Sequence, residues 1–163
     1  MWMWSVSQLF SRINTLVMYQ YKVSVVKVVD GDTIDVDIDL GFSTVLKKQR
    51  VRMMGIDTPE SRTRDLVEKK FGKASKKHLK KLLEEAESLS LISHDKGKFG
   101  RILGEIIAHF NEGHPVYEVE VNVNEQMIAD NHAVRYTGEN KDLIEENHLK
   151  NREILLEKGE VVL

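Results

Sequence analysis

Asp30-Gly31-Asp32-Thr33-Ile34-Asp35-Val36-Asp37-Ile38-Asp39-Leu40 is the stretch on which the fold turns. From Ile34 to Leu40 apolar residues alternate with aspartates, the period-two pattern of a strand that buries one face and wets the other. Asp35, Asp37 and Asp39 therefore read as solvent-facing strand residues. A calcium-loop reading fails, because Asp35 stands where an EF-hand needs glycine. The valine-rich run Tyr19 to Val29 precedes this strand, with Asp30-Gly31-Asp32-Thr33 as the turn between them. Gly41-Phe42 turns the chain again, and Val45 to Met54 supplies a third strand. The chain opens as a three-stranded meander.

A helix follows. Phe71, Ser75, His78, Leu82, Ala86 and Leu89 recur at three and four residues with Leu79 and Leu83 beside them, and Lys73, Lys76, Lys77 and Lys80 line the opposite face. Ser90 to Ser93 and Arg101 to Phe110 are the next strand candidates. The turn Asn111-Glu112-Gly113-His114-Pro115 leads to an alternating run, Val116 to Val123. A short helix fits Glu125 to Asp130, capped by Asn124 and stopped by a left-handed Asn131. A charged helix over about Lys141 to Glu157 ends at Gly159. This order predicts an α+β, mainly β architecture: a five-stranded OB-fold barrel with about three helices.

The 163 residues suffice for a core without staples, and 41% hydrophobic with 31% charged residues is ordinary for a globular protein. No cysteine is present, which removes disulfides, thiolate metal sites and cysteine nucleophiles. No stretch approaches the roughly 20 apolar residues that span a bilayer. Residues 1–18 read as an N-terminal extension ahead of a domain over 19–163. Arg12 interrupts the apolar part of that extension and no good cleavage site follows, so a cytoplasmic protein is favoured over a secreted one. The net charge of −2 argues against coating nucleic acid by bulk basicity. Its distribution is uneven: five aspartates crowd Asp30 to Asp39, and nine Lys or Arg fall between Arg62 and Lys81.

Candidate chemistry gathers at the strand ends. Asp32 lies in a turn and Asp57 closes a strand before Thr58-Pro59, where proline holds Thr58 extended and fixes its carbonyl. Two carboxylates and a carbonyl make a sparse oxygen site suited to catalytic Ca²⁺ or Mg²⁺. Taken singly, each aspartate reads as a turn residue bonded to its own backbone. Glu60 is one residue past Pro59, placed to accept a proton from water or to make a surface ion pair. Arg52 and Arg101 offer forks that match phosphate oxygens, or pair with strand-end aspartates. The six histidines assemble no rival site: His78 reads as packed, and His94, His109, His114, His132 and His148 as turn or surface residues.

Asp30-Gly31-Asp32-Thr33, Arg52 through Glu60, Asp95 to Arg101, Val123-Asn124-Glu125 and Ala133 to Tyr136 together resemble the staphylococcal-nuclease (thermonuclease) family in order and spacing. The resemblance covers about Tyr21 to Tyr136. It implies side-chain metal ligation by Asp32 and Asp57, carbonyl ligation by Thr58, general-base action by Glu60, and phosphate contacts from Arg52 and Arg101. Lys98, Phe99, Tyr136, Arg62 and Arg64 become the expected nucleic-acid contacts. The chain departs from the family at Gly97-Lys98-Phe99, where a lysine and a tyrosine are often adjacent, and at Thr137-Gly138, where a second tyrosine often stands.

The implied function is a Ca²⁺-dependent endonuclease, with Mg²⁺ as the alternative ion. It would cut DNA and RNA with little sequence preference and leave 3′-phosphate ends. A monomer without membrane association is expected. The rivals are a non-catalytic OB-fold nucleic-acid-binding module and a calcium-binding structural protein.

Overall fold

The computed structural model describes residues 19–111 and 118–163. The expected extension over residues 1–18 and the Glu112-to-Pro115 part of the expected turn lie outside the described residues. Strands β1 (Gln20–Asp30), β2 (Thr33–Asp39) and β3 (Val45–Met53) form the expected antiparallel meander. A two-residue strand, β4 (Ile56–Asp57), follows. Helix α1 (Leu66–Glu85) then leads to β5 (Ser88–Lys96) and β6 (Ile102–Phe110). After β7 (Val119–Asn122) come α2 (Val123–Ala129), β8 (Val134–Arg135) and α3 (Asp142–Glu157).

The sheet runs β3-β2-β1-β5-β6-β7, and a parallel pairing of β3 with β6 closes its first five strands into a barrel. The OB-type barrel with three helices is as expected. The alternation of β2 buries Ile34, Val36 and Ile38, which meet Val51 and Met53 of β3, Leu91 of β5 and Ile106 of β6 inside. Leu79 and Leu83 of α1 and Met127 of α2 cover that core. Asp35 and Asp37 stay on the outer face, paired with Arg50 and Lys47. Asp37 also accepts a bond at 2.9 Å from the Lys48 amide, where Lys48 takes φ 49° at a break in the β2–β3 register.

Three expectations are corrected. The α1 stripe ends at Glu85: Ala86 is extended, and Leu89 belongs to β5 rather than to the helix. β5 is longer than the Ser90-to-Ser93 segment because it pairs with β1 on one side and β6 on the other. Asn122, not Asn124, caps α2, accepting from the Glu125 amide at 3.2 Å. Asn124 is instead buried across the barrel seam. It donates to the Met54 carbonyl at 2.9 Å and the Gly104 carbonyl at 3.2 Å, and accepts from the Ile106 amide at 3.1 Å. A side chain that satisfies three backbone groups inside a closure cannot be replaced cheaply. Asn131 does take the left-handed stop, at φ 63°.

Candidate active site

The β1–β2 turn places Asp32 against α1 because Gly31 has no side chain. A Cβ there would come within 2.8 Å of Ser75 Cβ and 3.0 Å of Thr58 Oγ1. Gly72 does the same one turn earlier along α1, where a Cβ would collide with the Glu60 carbonyl and the Ser61 amide. The two glycines thus let the helix seat the segments that carry Asp32 and Glu60. Ser61 ties its hydroxyl to the Asp30 carboxylate, joining those segments again.

Barrel closure positions the arginines. Arg52 pairs with Leu103 across the parallel β3–β6 seam, so Arg101, just ahead of β6, stands near the same strand ends. The Met53 amide donates to the Asp32 carbonyl at 2.8 Å, fixing the end of β3 beside the turn. Asp57 is held because β4 pairs with β8, Asp57 opposite Val134, and Tyr136 donates its amide to the Gly55 carbonyl at 2.9 Å.

One cleft of ≈ 340 Å³ results, with Asp32, Arg52, Asp57, Thr58, Glu60, Arg101 and Tyr136 all on its wall. The structure therefore brings together the six expected catalytic and metal-ligating residues and one of the five expected nucleic-acid contacts. Lys98 and Phe99 are not on that wall but touch Arg101 from a 3₁₀ turn (Lys98–Gly100): the Lys98 carbonyl accepts from Arg101 Nε at 3.3 Å, and Phe99, at φ 63° and 94% exposed, lies under the Arg101 guanidinium. Arg62 and Arg64 are exposed in the loop before α1.

Arg52 bridges the two aspartates. Its Nη1 lies 3.0 Å from Asp32 Oδ2 and its Nη2 lies 3.4 Å from Asp57 Oδ1. Asp32 accepts further bonds from the Thr33 hydroxyl at 2.9 Å and the Thr58 amide at 3.2 Å. Burial still raises the Asp32 pKa, and the Asp57 charge adds to that against the opposing pull of Arg52. Glu60 is raised as well, first by burial and then by Asp30 and Asp32. Asp57 is the exception. Burial pushes it up, but the His148 hydrogen bond and the charges of Lys141, His148 and Arg52 leave it below the usual range.

Two of those groups are not assigned to the site by the sequence. Lys141 Nζ lies 3.4 Å from Asp57 Oδ1, and His148 Nε2 lies 3.0 Å from Asp57 Oδ2. The expectation of a turn or surface His148 is corrected: it is 8% exposed, on the inner face of α3. The signal was present in the spacing, since His148 stands four residues after Ile144 and seven before Leu155, both buried. His132 is likewise buried, not a turn or surface side chain. His109 is half-buried, its Nε2 2.7 Å from the Ser90 hydroxyl, and His94 is exposed as expected.

The oxygen-only donor set of Asp32, Asp57 and Thr58 fits a hard cation such as Ca²⁺ or Mg²⁺. Asp30, Asp32, Asp57 and Glu60 outnumber Arg52, Arg101 and Lys141 along this cleft, and the charges of Asp30 and Asp32 add to the burial that raises Glu60. A cation would relieve that excess. In the present arrangement Asp32 and Asp57 converge on the Arg52 guanidinium. Among the described residues, the groups of three or more metal-type donors lie elsewhere.

The family model described as "Staphylococcal nuclease homologue" matches residues 50–157, about two thirds of the chain. The chain belongs to this family. It is 34% identical over 83 residues to the thermonuclease of Staphylococcus hyicus, a match covering 50% of this chain and 46% of that protein. Identity is 33% over 98 residues to a probable staphylococcal-like nuclease of Oryza sativa subsp. japonica, covering 60% of this chain and 24% of that one. An uncharacterised protein of Bacillus anthracis is 37% identical over 98 residues, 56% of this chain and 42% of its own length. These matches span less than half the length of each relative.

Proposed function

We propose that this chain is a divalent-cation-dependent phosphodiesterase that cuts DNA and RNA with little sequence preference. Membership of the nuclease family supports the reaction class. The observation that carries the reading is the convergence of Asp32, Asp57, Glu60, Arg52 and Arg101 on one cleft from separate strand ends. Ca²⁺ is the proposed ion, held by Asp32, Asp57 and the Thr58 carbonyl, where it would supply charge stabilisation to a bound phosphate.

Glu60 accepts the proton of the attacking water. It lines the same cleft as Asp32, Asp57 and Arg52, where a general base is required. The water oxygen bonds to phosphorus as the bond to the 5′ oxygen breaks; the 5′ oxygen takes a proton from solvent water, and Glu60 afterwards gives its own back to solvent. The products are a 3′-phosphate and a 5′-hydroxyl. Arg52 and Arg101 meet the equatorial oxygens as charge grows on them, and Arg52 must release Asp32 or Asp57 to do so. Arg135 is locked to Glu125 by a pair of hydrogen bonds and takes no part. Tyr136 on the cleft wall contacts a base, and Arg62 and Arg64, exposed in the loop before α1, attract the backbone, neither of them reading sequence.

The test is incubation of the full chain with single- and double-stranded DNA and RNA in Ca²⁺, Mg²⁺ or chelator, followed by end analysis. Cleavage in Ca²⁺ with 3′-phosphate ends is expected. Binding without cleavage in either ion would instead establish a non-catalytic OB-fold module.

A further inference from the structure

Away from the acidic cleft, three titratable side chains from distant parts of the chain meet against α1. His78 comes from α1 itself, His132 from the loop after α2, and Glu160 from the tail after α3. The imidazoles of His78 and His132 stack with centroids 4.2 Å apart and planes 18° from parallel. One ring nitrogen of each histidine and one carboxylate oxygen of Glu160 lie within 4.8 Å of one another. The group opens on a cleft of ≈ 450 Å³ that shares no residue with the acidic one.

The hydrogen bond to His78 is that of a prepared ligand. His78 Nε2 lies 2.7 Å from Asp130 Oδ2, and the other oxygen of Asp130 accepts from Gln126 Nε2 at 2.9 Å. A carboxylate that holds one ring nitrogen fixes the tautomer and leaves the other nitrogen with its lone pair. His132 is 3% exposed, its Nε2 is 2.9 Å from Glu160 Oε2, and its Nδ1 is buried without a hydrogen-bond partner. An orphaned buried nitrogen has a cost that apolar packing at this position would avoid.

We propose that His78, His132 and Glu160 form a second metal site, for a nitrogen-preferring divalent ion of the zinc class. An ion there would take the place of the proton shared by His132 Nε2 and Glu160 Oε2, which lie 2.9 Å apart. Two imidazoles and a carboxylate select Zn²⁺ over Ca²⁺, the reverse of the acidic cleft. Asp130 orients His78 from behind. Because its ligands belong to three separate elements, the ion clips α1 to the α2–β8 loop and to the C-terminal tail. Its effect is stabilisation of the folded state, which alone presents the three ligands together.

The experiment uses the tag-free full chain carrying Asp32→Asn, which weakens ion binding in the acidic cleft. Zn²⁺ is titrated calorimetrically and the melting temperature is followed, with Co²⁺ absorption as a report on coordination. One equivalent of Zn²⁺ and an upward melting shift are expected. His78→Gln and Glu160→Gln should each weaken Zn²⁺ binding by about ten-fold or more and remove the shift. Asp130→Asn should weaken it while leaving the stoichiometry unchanged. Since His132 is buried, the test rests on these three variants. Zn²⁺ affinity and melting shift untouched by both His78→Gln and Glu160→Gln, or no Zn²⁺ binding at all, would overturn the proposal.

Discussion

Burial acts on both the acidic cleft and the histidine cluster, and it drives their groups toward neutrality from opposite sides. In the cleft the buried groups are acids, and the pKa values of Asp32 and Glu60 rise. In the cluster the buried group is a base, and His132 falls. The counter-charges are exchanged as well. Arginine and lysine surround the carboxylates of the cleft, whereas Asp130 and Glu160 anchor the imidazoles of the cluster. The proposed ion would enter the cleft only as the carboxylates release Arg52 to the phosphate. In the cluster an ion would displace only the proton between His132 Nε2 and Glu160 Oε2, which suits a structural role rather than a catalytic one.

The largest expected effect lies in the cleft. Arg52→Lys and Arg101→Lys keep the charge and lose the fork, so turnover should fall by roughly 10² to 10³ with less effect on substrate binding. Full turnover in both variants would remove the arginines from the chemistry. Asp32→Asn should abolish cleavage and yet raise the melting temperature by a few degrees at pH 7. The sign follows from the raised folded pKa: the folded chain binds more protons than the unfolded chain above pH 3.8. Stability from this group therefore declines as pH rises through that window, and a neutral amide escapes the loss. A lower melting temperature for Asp32→Asn at pH 7 would contradict this account.

Next in size is His148, which touches the cleft only through Asp57. Removing a partner that orients a ligating carboxylate typically costs 10- to 100-fold in ion affinity or activity, on the order of effects seen when such outer partners are removed. His148→Ala should raise the Ca²⁺ concentration needed for half-maximal cleavage by about ten-fold. Calorimetry of Ca²⁺ binding checks it directly, and unchanged Ca²⁺ dependence with a lower melting temperature would reduce His148 to packing.

The barrel was legible because apolar-polar alternation maps one to one onto inside and outside, as at Ile34, Val36 and Ile38. The expected catalytic and ligand positions were legible because Asp32, Arg52, Asp57, Thr58, Glu60 and Arg101 all occupy turns or strand ends, where geometry follows from the strand register. The spacing of Ile144, His148 and Leu155 showed that His148 is buried but not that it meets Asp57, and nothing local to Lys141 pointed to the cleft. Asn124 misled for a related reason. An asparagine ahead of a helix reads as a cap, and only the barrel seam reveals three backbone groups waiting for it. The β2–β3 irregularity at Lys48 was hidden because the polar run Lys47 to Arg50 carries no alternation to show which face each residue takes.

A smaller effect separates the cluster from the cleft by pH. His132 has a folded pKa below 6.5, so the unfolded chain binds more protons between the two values. Its contribution is intact above pH 6.5 and is lost as pH falls through the window beneath it. In metal-free buffer, the slope of stability against pH between about 7 and 5 should be shallower in His132→Asn than in the parent. Denaturant titrations at each pH give the slopes, and equal slopes would place the acid sensitivity elsewhere.

The smallest expected effect concerns α1. Lys77 and Lys80 line the cleft of the histidine cluster, and Lys73 and Lys76 share their helix, while the acidic cleft draws its lysine from α3. A row of cations that never reaches the reacting phosphate can only attract the polyanion as a whole. Each contact that displaces a counterion from duplex DNA steepens the logarithmic salt dependence of binding by about 0.9. Replacing Lys73, Lys76, Lys77 and Lys80 by glutamine should weaken binding to every sequence alike and flatten that dependence. Turnover at saturating substrate should stay within about two-fold of the parent, because the arginines that meet the developing charge are untouched. Salt-series binding and single-turnover rates on the same variant decide it. A collapse of the saturated rate would mean that the lysine face of α1 and the acidic cleft act on one phosphate after all.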